Sequence, residues 1–344
     1  SEFDPDEEWL EFARQLSNKV LMHLGGHLLD RFRTARLFDL FHSAGSAGAL
    51  YFLLAPYFVA YGEHRKERAF SREVLRHFLN GDAADAATAR PLKVAHFTDT
   101  LWEVNGVART LQQQAATARA LGRDYTVLAC HRPDKPQAPG VRRFDPIGAF
   151  QVPEYPELSL LAPSFLQILK HCYENEYTHI HVSTPGPMGL AALGVARILN
   201  LPIAGTYHTA FPEYGRILTG DSRVEDVLWR GMLWFYEQLD AVYAPSRATA
   251  EDLRERGLSP EKIRVYPRGV DTSRFSPARA ARCPAAAYGL RRSAVKVLCA
   301  GRVSKEKNLH LLAQAWQRLH NGRHDVQLVV AGDGPYREEM EAVL

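Results

Sequence analysis

The stretch AGRVSKEKN (300–308) holds the side chains of this sequence best suited to chemistry on an anion. Arg302 and Lys307 come directly after an apolar run, VLCA (297–300), that has the composition of a buried strand. A guanidinium group offers a bidentate fork and an ammonium group a mobile point charge. Together they suit a diphosphate that gains negative charge as it leaves a reacting centre.

The same stretch has a simpler interpretation as the solvated start of a helix. In that interpretation Lys305 and Glu306 face water, and Asn308 lies near the helix cap. Spacing alone favours neither interpretation. Both require a strand that ends near residue 300 and a helix that starts near residue 308.

The turn AGDGP (331–335) follows the next apolar run and supplies context. Gly332 and Gly334 keep side chains away from whatever approaches the backbone there. Taken alone, this is a common turn. In open α/β sheets, however, ligands bind beyond the carboxyl ends of the strands, where helix N-termini present unpaired N–H groups.

The elements that must position these residues belong to an alternating pattern that begins at Lys93. Short β-rich runs alternate with segments of helical period, which indicates a parallel sheet covered by helices. Strands are predicted near 93–98, 125–129, 178–183, 203–208, 241–245 and 263–267. After a stretch rich in Pro, Gly and Arg (268–289), the alternation restarts with VKVLCAGR, a helix from Asn308 to His320, and VQLVVAGDGP.

Residues 1–90 differ from the rest, with helical spacing and no clear strand. The apolar stretch ALYFLLAPYFVAY (49–61) is interrupted by Pro56 and is shorter than the roughly 20 residues that span a bilayer. We interpret it as a buried helix in preference to a membrane-surface helix, and 80–91 as a linker. The predicted domains are a helical region at 1–90, an α/β domain at 91–275 and a second one at 276–344.

Composition narrows the class of protein. The 344 residues are 46% hydrophobic and 24% charged, which is typical of a soluble protein with more than one core. A net charge of +3 without an arginine and lysine stripe does not predict a nucleic-acid partner. Four widely spaced cysteines argue against a zinc site or a disulfide framework and favour the cytoplasm. The acidic opening SEFDPDEEWLEF is unlike a secretory leader.

Several motifs, taken in order, carry a resemblance to a known family. They are HFTDTLWEVNGVARTL, STPGPMGLAAL with TYHTAFPEYGR, YAPSRATAEDL, YPRGVDTSRF, and GRVSKEKN with AGDGP. From residue 93 to 344 the chain resembles the family 4 retaining glycosyltransferases, near the branch of GDP-mannose-dependent mannosyltransferases and sulfolipid-forming enzymes. The resemblance implies an α/β GT-B fold of two Rossmann-like, doubly wound domains across a cleft. Here the helical N-terminal region precedes them.

The resemblance also implies roles for individual residues. Arg302 and Lys307 correspond to the pair that holds the donor diphosphate. His208 corresponds to a histidine beside the transferred sugar, where it stabilises a developing oxocarbenium ion. The donor-binding positions are Asn105, Gly106, Val107, Ser246, Asp271, Gly301, Arg302, Lys307, Gly332 and Gly334. The acceptor-side positions are Glu213, Tyr214 and Arg216.

Simpler interpretations stay open for several of these positions. Residues 105–107 fit a plain turn before a helix, and the acceptor-side residues fit an ordinary exposed loop. Asp271 fits a turn cap formed with Ser273. His179 and His181 are expected to be structural.

The resemblance fails beyond the GDGP turn. The family carries two glutamates eight positions apart, the second of which holds the donor ribose, and Glu338, Glu339 and Glu341 lack that spacing. Only two strands follow residue 289, and a two-stranded parallel sheet leaves its faces uncovered. We therefore expect the second domain to be incomplete and the chain to be part of a longer polypeptide.

The resulting prediction is a retaining hexosyltransferase that uses GDP-mannose or a UDP-hexose as donor. The acceptor is a lipid-linked or saccharide molecule, and peripheral contact with the inner membrane face stays open. No metal or other cofactor is expected, because the cations supply the positive charge and Asp4-Pro5-Asp6 is the sole Asp-x-Asp. No nucleophilic carboxylate stands out, which favours front-face attack assisted by the leaving phosphate.

Three other functions are compatible with parts of the pattern. A sugar-nucleotide epimerase shares the two-domain fold. A non-catalytic scaffold would join the helical region to an incomplete transferase. An NAD-dependent dehydrogenase fits least, because the turn TDTLWEVNG lacks the G-x-G-x-x-G pattern of dinucleotide-binding sites.

Overall fold

The computed structural model divides the chain into two compact units. Unit 1 contains Ser1–Thr209 and Gly231–Pro267, and unit 2 contains Ala210–Arg230 and Arg268–Leu344. The structure describes residues 5–32, 37–78, 91–103, 105–135, 138–152, 155–208, 210–278, 288–291, 293–304, 307–321, 323 and 325–343. The predicted linker therefore lies, except for residue 91, outside the described residues. The domain limits at 90/91 and 275/276 stay a prediction.

The helices and strands follow one another in the alternating order expected of an α/β protein. The helices are α1 (Pro5–Phe32), α2 (Leu37–Phe78), α3 (Gly106–Ala120), α4 (Phe165–Glu174), α5 (Pro187–Ile198), α6 (Phe211–Thr219), α7 (Ser222–Glu237), α8 (Arg247–Glu255), α9 (Leu309–His320) and α10 (Arg337–Val343). The strands are β1 (Lys93–Thr98), β2 (Asp124–Cys130), β3 (Val141–Phe144), β4 (Pro146–Val152), β5 (Tyr155–Pro163), β6 (His179–Val182), β7 (Ile203–Thr206), β8 (Ala241–Ala244), β9 (Ile263–Val265), β10 (Val295–Ala300) and β11 (Val326–Ala331).

The main sheet of unit 1 is parallel, in the order β3-β2-β1-β6-β7-β8-β9. This confirms the doubly wound fold and all six strands predicted between 93 and 267. The strand order reverses between β1 and β6, and ligands of such sheets bind beyond the carboxyl ends of the strands at that switch point. The loops after β1, β6, β7 and β8 therefore frame the candidate site of unit 1.

The sequence analysis did not predict three of the strands, β3, β4 and β5. The edge strand β3 has the sequence VRRF, with two arginines in four residues, so its apolar alternation is weak. The strands β4 and β5 form a separate antiparallel hairpin that contains prolines and a glycine, which are depleted in strands. Pairing with a neighbour, and not local propensity, decides these segments.

Helix α3 shows how the hydrophobic pattern builds the core beside the site. Its apolar positions Val107, Leu111 and Ala115 lie on one helical face and are buried. They pack against Val127 and Ala129 of β2. The contact fixes the N-terminus of α3 at the carboxyl end of β1.

The amino-terminal helices α1 and α2 are part of unit 1 and contact each other and the helices that cover its main sheet. The hydroxyl of Tyr57 in α2 donates to the carbonyl of Trp9 in α1 at 3.0 Å. The rings of Phe58 and Phe165 meet edge to face at 5.7 Å, which joins α2 to α4. The apolar stretch at 49–61, which the sequence analysis interpreted as buried, contains both buried and exposed side chains. Leu54 is 4% exposed, whereas Val59 is 62% exposed. Among the described residues, none of the helices is long and apolar enough to cross a membrane.

Unit 2 contains the parallel pair β10 and β11, with α9 between them and α10 after β11. The predicted helix at 308–320 is confirmed. A buried hydrophobic cluster in unit 2 is formed by Val303, Leu309 and Met340. In the described part of unit 2 the sheet has two strands, and Val295 and Leu298 on β10 are exposed. The described part of unit 2 thus has the strand-helix-strand order that the sequence predicted after residue 289.

Candidate functional site

The loops that follow β10 and β11 are joined to each other by backbone hydrogen bonds. The N–H of Gly301 donates to the carbonyl of Ala331, and the N–H of Val303 donates to the carbonyl of Asp333, both at 3.0 Å. The N–H of Tyr336 donates back to Val303 at 3.0 Å. The two loops therefore continue the strand pairing beyond the sheet and form one framework.

The glycines of the AGDGP turn allow this close approach. A Cβ atom at Gly332 would overlap the carbonyl oxygen of Gly301, and one at Gly334 would overlap that of Val303. Gly332 also has a φ of 158° and Gly301 one of 155°, conformations that other residues rarely adopt. The backbone that lies against Gly332 and Gly334 is therefore that of the loop after β10. Contact of these glycines with a sugar donor stays a prediction.

Arg302 and Lys307 lie on this framework, and both side chains are exposed. Between them, Val303 and Ser304 are each 2% exposed, so the loop is anchored in the core of unit 2. The N–H of Lys307 donates to the carbonyl of Ser304 at 3.1 Å. The cations thus extend from a fixed backbone at the carboxyl end of β10.

The other interpretation of residues 300–308 is the solvated start of a helix with Asn308 near its cap. Lys305 and Glu306 lie outside the described residues. Asn308 occupies the cap position of α9 in a left-handed conformation, with φ 52°, and its side chain makes no capping hydrogen bond. The expected position of Asn308 at the helix cap is therefore confirmed, although its side chain does not cap the helix.

In unit 1, Asn105 starts helix α3 at the carboxyl end of β1. Its Oδ1 accepts from the N–H of Ala108 at 2.8 Å, and its Nδ2 donates to Oγ1 of Thr100 at 2.7 Å. Gly106 is exposed, whereas the side chain of Val107 is buried in the core. A ligand at this loop would therefore meet the backbone of Val107 and not its side chain.

Asp99 joins the loop after β1 to the loop after β6, and the sequence analysis did not single it out. Its Oδ2 accepts from the hydroxyl of Thr184 at 2.5 Å, and its Oδ1 accepts from the N–H of Met188 in α5 at 2.8 Å. A Cβ atom at Gly186 would overlap the carboxylate, so glycine is required there. The strand ending FTDT gave no signal that separates Asp99 from the threonines beside it.

The environment of Asp99 changes its ionisation. Burial raises the pKa of Asp99 to about 6, and hydrogen bonds from Thr184 and from backbone N–H groups, including that of Met188, offset part of the rise. The N-terminus of α5 also favours the charged form. The carboxylate is thus held at the switch point of the sheet by groups from two loops.

A second buried polar group links β2, β1 and β6. The hydroxyl of Tyr125 lies 2.6 Å from Nδ1 of His96, and Nε2 of His96 lies 2.6 Å from Oγ of Ser183. The ring of His181 lies beside that of His96, with centroids 4.4 Å apart and planes tilted by 46°, and Nε2 of His181 lies 2.8 Å from Oγ1 of Thr206. This places His181 in a structural role, as expected.

His208 lies two residues beyond the end of β7 and is half-buried. Burial lowers the pKa of His96 well below its usual range, and the nearby His181 and His208 add to this effect. Burial lowers the pKa of His181 to about 4. At neutral pH the imidazoles of His96 and His181 are therefore uncharged, and His208 lies within electrostatic reach of His96.

The remaining predicted positions have local structural roles. Oγ of Ser246 caps α8 by accepting from the N–H of Thr249 at 3.1 Å, at the carboxyl end of β8. Oδ1 of Asp271 accepts from the hydroxyl of Ser273 at 2.6 Å and from two backbone N–H groups. These hydrogen bonds, that of the Ser273 hydroxyl first, lower the pKa of Asp271. The turn-cap interpretation of Asp271 is confirmed.

The acceptor-side residues lie in helix α6, so their interpretation as an exposed loop is wrong. Glu213 and Tyr214 are half-buried, and Nε of Arg216 pairs with Oε2 of Glu225 in α7 at 3.1 Å. Across the described residues, no group of three or more His, Cys, Asp or Glu side chains is arranged to hold a metal ion. Of the predicted Asp-x-Asp, Asp4 lies outside the described residues.

A doubly wound parallel sheet followed by a second β-α-β unit is the order of elements found in the GT-B class of α/β proteins, to which the fold of this chain belongs. Two family models match the chain: Glycosyltransferase Family 4 over residues 104–274 and Glycosyl transferases group 1 over residues 286–343. The chain belongs to glycosyltransferase family 4.

Its relatives are transferases with different products. It is 27% identical to the sulfoquinovosyl transferase SQD2 of Arabidopsis thaliana, over 74% of this chain and 49% of the relative. It is 28% identical to a GDP-mannose-dependent alpha-mannosyltransferase of Corynebacterium glutamicum, over 73% of this chain and 60% of the relative. It is 24% identical to the alpha-monoglucosyldiacylglycerol synthase of Streptococcus pneumoniae, over 73% and 58%. The chain thus spans half to three fifths of the length of these relatives.

Solved structures support the same fold. Anabaena Alr3699/HepE in complex with UDP and glucose matches with a TM-score of 0.54 and 18% identity, over 73% of this chain and 65% of that one. The sucrose-phosphate synthase of Thermosynechococcus elongatus matches with a TM-score of 0.51 and 17% identity, over 70% and 62%. At these identities the likeness establishes the fold.

We expect Gly334→Ala to destabilise unit 2, because the added Cβ overlaps the carbonyl oxygen of Val303. The loss should be about 1–3 kcal/mol in the free energy of unfolding, the usual range for overpacking. Urea denaturation followed by circular dichroism measures it. Gly269→Ala is the matched control in the same unit, because a Cβ there meets nothing within 4 Å. Equal losses in the two variants would refute the packing role of Gly334.

We expect Asp99→Asn to gain stability relative to the wild type as the pH rises from about 4 to about 6. The folded protein holds the Asp99 proton more tightly than the unfolded chain, whose value lies near 3.8, so ionisation weakens the wild type across this window. The difference should be on the order of 1–3 kcal/mol. Thermal unfolding in buffers across the window measures it.

Glu237→Gln is the control of opposite sign. Hydrogen bonds, that of the Ser259 N–H first, lower the pKa of Glu237, so this variant should lose stability relative to the wild type as the pH rises. A pH-independent difference between Asp99→Asn and the wild type would contradict the raised pKa of Asp99.

Proposed function

We propose that this chain transfers a hexosyl group, with retention, from a nucleoside diphosphate sugar to a lipid-linked or saccharide acceptor. The candidate donors are GDP-mannose and a UDP-hexose. Family membership supports the reaction class, and the names of the relatives include both mannosyl transfer from GDP-mannose and the synthesis of a glucosyldiacylglycerol. The single observation that carries the proposal is the joined pair of loops that holds Arg302 and Lys307.

The physical argument concerns the leaving group. Cleavage of the glycosidic bond to phosphate leaves negative charge on the diphosphate, and cations fixed before the reaction stabilise that charge without reorganisation. The loop that carries Arg302 is fixed by hydrogen bonds to the loop after β11, and its central residues are buried. Helix α9 begins at Leu309, so its positive end lies beside Lys307 in the chain. These charges take the place that a metal ion would fill, and the proposal includes no metal or other cofactor.

Unit 1 supplies the sugar side in this proposal. His208 stabilises the oxocarbenium-like transition state, and the loop at Asn105 closes on the donor. Asp99, a buried carboxylate at the same edge of the sheet, already accepts hydrogen bonds on both oxygens from Thr184 and Met188. It therefore serves as a scaffold and not as a nucleophile, which supports front-face attack assisted by the leaving phosphate. Residues 91–275 then form the acceptor-side domain and 276–344 the donor-side domain.

Peripheral contact with the cytoplasmic face of a membrane is also part of the proposal. Trp9 and Phe12 pack edge to face at 5.8 Å on α1, and both are more than half exposed. Amphipathic aromatic side chains at a helix surface suit the interfacial region of a bilayer. A lipid-linked acceptor would be met at that interface, and no nucleic-acid partner is proposed.

Arg302→Ala and Lys307→Ala should each weaken the binding of GDP or UDP by about tenfold or more, because each removes a hydrogen bond to a charged group. Calorimetric titration with GDP, UDP and their sugar conjugates measures this and identifies the donor base. Arg318→Ala removes an exposed cation from α9 in the same unit and should leave the affinity unchanged. Unaltered binding in both loop variants, or equal loss in the control, would remove the diphosphate from this loop.

His208→Ala should lower kcat by about 10²–10⁴-fold while the KM for the donor changes little, because an imidazole at the sugar acts mainly in the transition state. Steady-state transfer to a lipid or saccharide acceptor measures both constants. His179→Ala, an exposed histidine on β6, is the control. A wild-type kcat in His208→Ala would exclude the residue from the reaction, and conversion of the donor sugar without an acceptor would favour an epimerase.

A further inference from the structure

The loop between β1 and α3 is held by the carboxylate of Glu103, a residue that the sequence analysis did not single out. Oε2 of Glu103 accepts from the hydroxyl of Thr100 at 2.7 Å and from the N–H of Leu101 at 2.9 Å. The backbone carbonyl of Glu103 accepts from the N–H of Asn105 at 2.9 Å. Glu103 is exposed, so its carboxylate turns back onto its own loop although water is available to it. This one residue thus contacts the loop on both sides of itself.

The hydrogen bonds that join Asn105, Thr100 and Glu103 have a defined direction. Oδ1 of Asn105 accepts from the N–H of Ala108 at 2.8 Å, which fixes the orientation of the amide. Nδ2 of Asn105 therefore faces Thr100 and donates to its Oγ1 at 2.7 Å. The hydroxyl of Thr100 donates its own proton to Oε2 of Glu103. Such a chain needs a strong acceptor at its end, and a carboxylate is the strongest acceptor among the side chains.

Both ends of this loop are anchored in the core of unit 1. Leu101 and Val107 are buried in one hydrophobic cluster. Nε2 of Gln112 in α3 donates to the carbonyl of Leu101 at 2.8 Å. The hydroxyl of Thr98, which is buried at the end of β1, donates to the carbonyl of Thr100 at 2.8 Å. The exposed residues between these anchors therefore depend on polar contacts for their conformation.

The second oxygen of the Glu103 carboxylate faces the loop after β2. Oε1 of Glu103 lies 3.9 Å from Nε2 of His131. The rings of Trp102 and His131 meet edge to face, with centroids 4.9 Å apart. An ion pair of this length between partly exposed side chains contributes little to stability. The two hydrogen bonds to Oε2 are therefore the contacts through which Glu103 holds the loop.

The order of this loop before binding affects the affinity for a ligand. A loop that becomes ordered only when the ligand arrives takes the entropy of ordering from the free energy of binding. A loop that is already held in its bound conformation avoids that cost. The proposed function assigns Asn105, Gly106 and Val107 to the donor. A contact that fixes Asn105 beforehand therefore strengthens donor binding without touching the donor.

We propose that Glu103 and Thr100 are positioning residues for donor binding. They hold Asn105 and the backbone of Gly106 and Val107 in the conformation that receives a sugar nucleotide. The inference rests on the proposed function, which assigns the donor to this loop. Glu103 takes no part in the chemistry, because both of its side-chain hydrogen bonds end on Oε2 within the loop.

Three variants of the full chain test this role by calorimetric titration. Glu103→Ala removes both hydrogen bonds to Oε2, and Thr100→Val removes the hydroxyl while keeping a branched side chain. Both should weaken the binding of GDP-mannose or UDP-glucose, whichever the wild type binds, by about three- to tenfold. Glu103→Gln keeps an oxygen that can accept both bonds, so its affinity should lie within about twofold of the wild type.

Hydrogen–deuterium exchange followed by mass spectrometry tests the positioning without any ligand. The peptide that includes Val107 and Ala108 should exchange faster in Glu103→Ala and Thr100→Val, because the cap of α3 is released. In Glu103→Gln its exchange should be as slow as in the wild type. Glu255→Ala removes an exposed carboxylate from α8 in the same unit and should change neither exchange nor affinity. Melting temperatures confirm that each variant is folded.

Weaker binding in Glu103→Ala and Thr100→Val, with recovery in Glu103→Gln, supports the inference. Arg302→Ala, titrated beside them, tests the proposed function separately. If Arg302→Ala weakens binding and Glu103→Ala does not, the inference is overturned and the proposed function stands. An equal loss in Glu103→Gln or in Glu255→Ala also overturns it. If the loop variants weaken binding and Arg302→Ala does not, the diphosphate role of Arg302 fails and the inference stands. A wild type that binds neither sugar nucleotide refutes both.

Discussion

The close approach of two backbone loops is the constraint on which unit 2 depends. Gly332 and Gly334 have no Cβ atom, so the loop after β11 contacts Gly301 and Val303 directly and pairs with them. This contact keeps the segment from Gly301 to Ser304 in one conformation. A charged side chain on a fixed loop loses little entropy when it binds an anion, which is why the glycines matter for Arg302 although they carry no chemistry.

Unit 1 obtains the same rigidity with buried polar groups. Asp99 joins two loops at the switch point, and His96 joins two strands to Ser183. Each group has its hydrogen bonds satisfied by neighbours, which is the condition under which burying it is tolerable. The neutral state of His96 at physiological pH follows from its burial, whereas His208 beyond β7 is half-buried.

The two edges of the main sheet therefore differ in character. The carboxyl edge carries the loops of Asn105, His208 and Ser246, in keeping with ligand binding at the ends of parallel strands. Near the amino edge, Arg68 of α2 donates to Glu176, beyond the end of α4, and to the carbonyl of Tyr173 within α4, and α2 belongs to a segment outside the family matches.

How far the sequence could be interpreted depended on the range of each signal. Apolar periodicity predicted β1, β2 and β6 to β9 and the helix at 309–320, because burial of one face is recorded locally. The order of the motifs predicted the family, and Arg302 and Lys307 were found from charge beside a strand. The hairpin of β4 and β5 was missed because its prolines and glycine mask the strand pattern.

Tertiary structure alone decided which distant residues meet. The partner of Gly334 is a carbonyl 31 positions earlier, and Thr184 binds Asp99 across 85 positions. The hydrogen bond from Arg68 to Glu176 likewise depends on where α2 packs. A repeat along the chain records which side of an element is buried, but a contact between distant segments leaves no local pattern. For that physical reason the sequence determined the elements of this protein and its cationic loop, whereas folding determined what those elements hold in place.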